Sequence, residues 1–97
     1  GGRVKAAEGK ELGFVNEVTP VGGALEGAKR WAATIMECSP MSLRATKQAS
    51  MRGLNAPTLQ DAIETTYPAV RALYASEDLI EGPKAFAEKR APNWKGR

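Results

Sequence analysis

A chain of 97 residues has room for one compact domain, and its 42% apolar and 26% charged residues are an ordinary balance for a folded protein. It holds one cysteine, Cys38, and no histidine, which excludes an internal disulfide, a Ser–His nucleophile pair and a histidine-ligated zinc site built from these residues. The formal charge of +3 is uneven: residues 84–97 carry Lys84, Lys89, Arg90, Lys95 and Arg97 against Glu88 alone, and the remainder is nearly balanced.

The stretch Val4 to Leu12 reads as a short helix, and Gly13 stands where a left-handed C-terminal cap is expected. Phe14-Val15-Asn16-Glu17-Val18 reads as a short strand stopped by Pro20, with Gly22-Gly23 as a turn. Ala24 to Cys38 is an amphipathic helix: Leu25, Ala28, Trp31, Ala32, Ile35 and Cys38 fall on one stripe. Ser39-Pro40 pairs a capping residue with the first helical position and starts a helix to about Arg52, closing on Gly53. Thr58, with Asp61 three residues on, caps the next run, in which Leu59, Ala62, Ile63, Thr66, Val70 and Leu73 keep helical spacing and Pro68 predicts a kink. Ser76 caps the last segment. Gly82-Pro83 predicts a break and restart, with a short helix through Arg90 and a tail from Asn93.

The chain is therefore mostly α, with one short strand near residues 14–18 that has no partner strand to pair with. No apolar run approaches the ~20 residues of a membrane span. Gly1-Gly2-Arg3-Val4-Lys5 lacks a signal-peptide core, and with the single cysteine this favours a cytoplasmic setting.

Catalytic groups are scarce. Glu77, Asp78 and Glu81 form a small acidic cluster, but at a helix start capping and dipole complementarity account for them more simply than acid–base work. Cys38 reads as a small core residue and Trp31 as part of the core stripe. Gly22-Gly23 lacks the spacing of a phosphate-binding loop. The basic end would draw phosphates of some kind, or be a solvated surface.

The last 22 residues contain S-E-D-x-x-E-G-x-x-A-F-x-E-K-R-x-P, from Ser76 to Pro92, which resembles the ending of the enoyl-CoA hydratase/isomerase (crotonase) family. Ala6 to Val18 is similar to that family's A-x-E-A-x-x-x-G-L-V-N-x-V segment, with Gly9 for the usual alanine and Phe14 for the usual leucine. Ser39 to Lys47 is similar to its S-P-x-A-x-x-x-x-K helix. The order is that of the family, and the ending is also similar to its carnitinyl-CoA dehydratase branch.

The resemblance implies a C-terminal helical trimerisation region of a crotonase-like fold, residues 1–97 being the piece that follows a larger catalytic core. It implies an acyl-CoA substrate, no required cofactor, and a trimer or dimer of trimers. It further implies an enolate-like oxyanion held by two backbone N–H groups, with two glutamates for water addition, all upstream of Gly1. No catalytic residue and no metal ligand is assigned to this stretch. Phe86 and Lys89 match the Phe and Lys of A-F-x-E-K, which in the family come near the CoA nucleotide, often across a subunit boundary. An aromatic ring can pack on adenine and an ammonium can pair with phosphate. Arg90 is a weaker candidate for the same contact and could equally brace a trimer. The alternative reading is a self-associating helical module without catalysis. Nucleic acid is disfavoured, since the basic residues sit in one short tail with no recognised binding motif, and no membrane partner is expected.

Overall fold

The computed structural model describes residues 1–97 as six helices with no strand. They are α1 (Ala6–Glu11), α2 (Ala24–Met36), α3 (Pro40–Gly53), α4 (Leu59–Glu64), α5 (Pro68–Tyr74) and α6 (Glu77–Ala87). None is long and apolar enough to cross a membrane. The chain divides into two compact units, residues 1–35 and 36–97.

In the first unit, α1 ends as its sequence predicts. Gly13 takes φ +86°, the Gly13 N–H donates to the Lys10 carbonyl at 3.1 Å, and the Phe14 N–H donates to the Gly9 carbonyl at 3.1 Å. That pair of bonds is a Schellman motif, with glycine at its left-handed position. The expected strand at 14–18 does not form; this segment is irregular backbone. With no second strand among these residues to receive its N–H and C=O groups, β-branched content alone does not make a ladder. The segment is held instead by Glu17, whose carboxylate accepts the Trp31 indole N–H at 2.9 Å and pairs with Arg30.

Gly9 is buried, and a Cβ placed on it would lie 2.9 Å from Cε2 and Cζ of Phe14 and from Cγ2 of Val15. Gly9 therefore makes room for both the Phe14 ring and the Val15 side chain. Alanine gains about 1 kcal/mol over glycine in a helix interior. Gly9→Ala should forfeit that gain because the added methyl meets Phe14 and Val15, and Phe14→Leu should recover part of it, a coupling below about 1 kcal/mol in a double-mutant cycle read by thermal melts. Additive effects would show that the two positions do not share this space.

The apolar stripe of α2 forms as predicted but is not covered within the chain. Leu25 and Ile35 are exposed, Trp31 is 46% exposed, and Gly27 is the helix's one buried residue. Cys38 lies beyond the end of α2 and is exposed, which corrects its reading as a core residue. Amphipathic spacing specifies a face to be buried but does not supply what buries it.

In the second unit α3 packs on α4 and α5, and α5 on α6, around Ala45, Tyr67 and Ala85. All three predicted caps are made. Ser39 Oγ accepts from the Met41 and Ser42 N–H groups, Thr58 Oγ1 from Asp61 N–H, and Ser76 Oγ from Leu79 N–H.

Two proline predictions change. Pro68 does not kink one helix but separates α4 from α5, because Tyr67 before it is driven to extended backbone (φ −77°, ψ 138°) and Pro68 becomes a first-turn residue. Pro83, by contrast, lies inside α6 without ending it. The lost N–H bond and the crowding it brings are offset by packing: the Trp94 ring lies on Gly82, 3.3 Å from where a Cβ would be, and its indole N–H donates to the Glu37 carbonyl at 2.8 Å.

Candidate functional site

The segment from Ser76 to Arg97 is a helix followed by a returning tail, and its acidic residues hold the tail down. Asp78 is 2% exposed. Its carboxylate accepts the Ser39 hydroxyl at 2.6 Å, the Lys95 N–H at 2.7 Å and the Gly96 N–H at 3.2 Å. One serine therefore caps α3 and bonds the first turn of α6 at once. The Ser39 hydroxyl, followed by the two backbone N–H groups, holds the Asp78 carboxyl below its ordinary value against the opposing effect of burial. Glu77 completes the tie: its N–H donates to the Arg97 carbonyl at 2.8 Å and its carboxylate accepts the Arg97 Nε–H at 3.1 Å. The tail from Asn93 is thus anchored.

Glu81 is in mid-helix, so capping does not account for it. Its carboxylate accepts Arg90 Nη1 at 2.6 Å, Arg90 Nη2 at 3.0 Å and the Asn93 N–H at 2.6 Å. This is a two-pronged guanidinium–carboxylate pair reinforced by a backbone donor. Arg90, and after it Asn93, pull the Glu81 carboxyl down to about 2, while Glu81 and Glu88 push the Arg90 guanidinium upward.

Between these anchors the chain turns at Lys89, the one residue other than glycine with positive φ, at 54°. The Arg90 N–H donates to the Ala85 carbonyl at 3.0 Å and the Lys89 N–H to the Phe86 carbonyl at 3.2 Å. This is again a Schellman motif, with a lysine where glycine is usual. The left-handed conformation costs a residue with a Cβ about 1 kcal/mol.

Phe86 is 88% exposed at the end of α6. Lys89 is also exposed, but it lies past the helix end, so the two do not share a face by helical spacing. Arg90 and Arg97 are spent in ion pairs, whereas Lys84, Lys89 and Lys95 enter none. Lys84 and Lys95 line a cleft of about 290 Å³ with Glu77, Ile80, Glu81 and Asn93.

The sequence reading missed Glu81 as a partner of Arg90. The signal was present in the spacing E-x8-R of the quoted motif, but nothing local says that the chain folds back.

The enoyl-CoA hydratase/isomerase family model matches residues 1–97 from end to end. The chain belongs to this family. Carnitinyl-CoA dehydratase of Salmonella typhi is 35% identical over 103 aligned residues, covering 100% of the chain and 38% of that relative. Enoyl-CoA hydratase EchA19 of Mycobacterium tuberculosis is 36% identical, with 100% and 36% covered. Among solved structures, an enoyl-CoA hydratase/isomerase from Mycobacterium paratuberculosis superposes with a TM-score of 0.88 at 35% identity, over 99% of this chain and 38% of that one. The chain thus spans well under half the length of the relatives it matches, and the match is to the C-terminal helical segment of the crotonase fold.

Proposed function

We propose that this chain is the oligomerisation and coenzyme-A-contacting segment of an enzyme that hydrates 2-enoyl-CoA thioesters, with Phe86 and Lys89 meeting the nucleotide end of the substrate. The acyl-CoA is the substrate and no further cofactor is required. Carnitinyl-CoA dehydration is the alternative reaction within the family. The proposed setting is cytoplasmic, and the assembly a trimer or a dimer of trimers.

One observation carries the reading. Within a single motif, Ser76, Glu77, Asp78, Glu81 and Arg90 are all engaged inside the chain, whereas Phe86 is bare and the Lys89 ammonium has no partner. An exposed ring and an unpaired cation on an ordered turn suit an adenine face and a phosphate.

The test is coenzyme A binding to the protein by calorimetry, with pantetheine, which lacks the nucleotide, as control. Lys89→Ala and Phe86→Ala should each weaken coenzyme A about ten-fold, which is about 1.4 kcal/mol, and leave pantetheine unchanged. Unchanged coenzyme A affinity in both variants would remove these residues from the site.

The second reading, self-association without catalysis, draws on the uncovered stripe of α2, where Ala28, Trp31, Ala32 and Ile35 line an apolar cavity of about 420 Å³. Sedimentation and a hydratase assay of the full protein to which this segment belongs separate the two: a trimer with hydratase activity supports the first, an inactive oligomer the second.

A further inference from the structure

We propose that Glu81 and Arg90 are positioning residues for the coenzyme A contact, holding Lys89 in its left-handed conformation and so setting how Lys89 and Phe86 are presented. This rests on the reading that those two residues meet the nucleotide.

The chain itself supplies the comparison. Two of its helices end in the same Schellman geometry, α1 at Gly13 with φ +86° and α6 at Lys89 with φ +54°. At α1 the turn carries no side chain and Gly13 needs no support beyond the two backbone bonds. At α6 the turn carries a lysine, and it is braced from both sides. Arg90, next to Lys89, is clamped to Glu81 through two nitrogens, and the Asn93 N–H beyond it donates to the same carboxylate. Glu88, on the other side of Lys89, accepts Arg90 Nε–H at 2.6 Å.

Glu88 and Arg90, the charged neighbours of Lys89 in the turn, are thereby engaged inside the chain, and Lys89 is exposed without an ion pair. A conformation unfavourable to a side chain persists when its surroundings over-determine it, and such residues gather where a side chain must be aimed. Glycine would relieve the strain and lose the ammonium. The observed arrangement keeps the ammonium and spends an ion pair on holding it.

The experiment turns on a sign. Glu81→Gln removes a negative charge near the proposed phosphate contact, so charge alone predicts tighter binding of anionic coenzyme A. Positioning predicts the reverse. In the full protein, Glu81→Gln should weaken coenzyme A roughly ten-fold with pantetheine unchanged. Arg90→Lys, which keeps the charge but not the two-pronged bond, should weaken it by a smaller factor and serves if Glu81→Gln does not fold. Lys89→Gly should raise the melting temperature while lowering coenzyme A affinity. If Glu81→Gln and Arg90→Lys bind coenzyme A as well as the parent, or lose coenzyme A and pantetheine equally, the positioning role is overturned, and an effect of Lys89→Ala would leave the contact itself standing. If Lys89→Ala and Phe86→Ala are also silent, the contact reading falls and this inference with it.

Discussion

Asp78→Ala should release the tail and loosen both helix starts that meet it, lowering the melting temperature on the order of 10 °C. Few positions in the chain serve as many partners. The carboxylate receives a hydroxyl from α3 and two backbone N–H groups from the tail. Removing it leaves the Lys95 and Gly96 donors with no acceptor in a part-buried place, which is the costly way to lose a hydrogen bond. It also deprives Ser39 Oγ of the acceptor that orients it as the cap of α3. Asp78→Asn keeps the shape and one carbonyl oxygen and should cost less.

The pH dependence follows from the direction of the shift. The folded carboxyl titrates below its ordinary value of 3.8, so its stabilisation is complete above that value. It is lost as pH falls through the lower folded value. Melts followed by circular dichroism at pH 7 and near pH 3 should therefore show the parent approaching the Asp78→Ala variant only in acid. Equal gaps at both pH values would show that the ionised carboxylate is not what holds the tail.

Tyr67→Ala should destabilise residues 36–97 by about 3 kcal/mol, the usual range for deleting a buried ring. Tyr67 is 7% exposed and stands at the junction where Pro68 splits the expected long helix. Its hydroxyl donates to the Ala62 carbonyl at 3.1 Å, near the end of α4, and reaches to 3.6 Å from where Gly53 would carry a Cβ. It thus fastens α4, α3 and the start of α5 together. Tyr67→Phe, which keeps the ring and loses the bond, should cost about 1 kcal/mol. Urea titrations resolve the two, since the difference measures the hydroxyl and the remainder measures the ring. Near-equal losses would place the hydrogen bond, and not the packing, at the centre of the junction.

What could be read without the fold was whatever is settled within a few residues. Ser39, Thr58 and Ser76 cap helices because each hydroxyl reaches an N–H two or three positions on. Gly13 ends α1 because only its own φ is at issue. The family, and with it Phe86 and Lys89 as the residues to watch, was legible in the C-terminal motif. Short-range rules misled wherever a distant group intervened. The segment 14–18 has strand composition but nothing to pair with, and Pro83 sits inside a helix that Trp94 holds together from 11 residues away in the chain.

The amino-acid sequence by itself determined the mostly helical class, the helix starts and the family, since propensity, capping and motif are properties of neighbouring residues. Tertiary structure alone decided what the acidic residues are for. The partners of Asp78 lie 17, 18 and 39 positions away, and Arg90 lies nine from Glu81. A carboxylate at a helix start and one that pins a returning tail have the same local sequence. They differ only in which donors the folded chain brings within hydrogen-bonding distance, and that is fixed by where the tail runs.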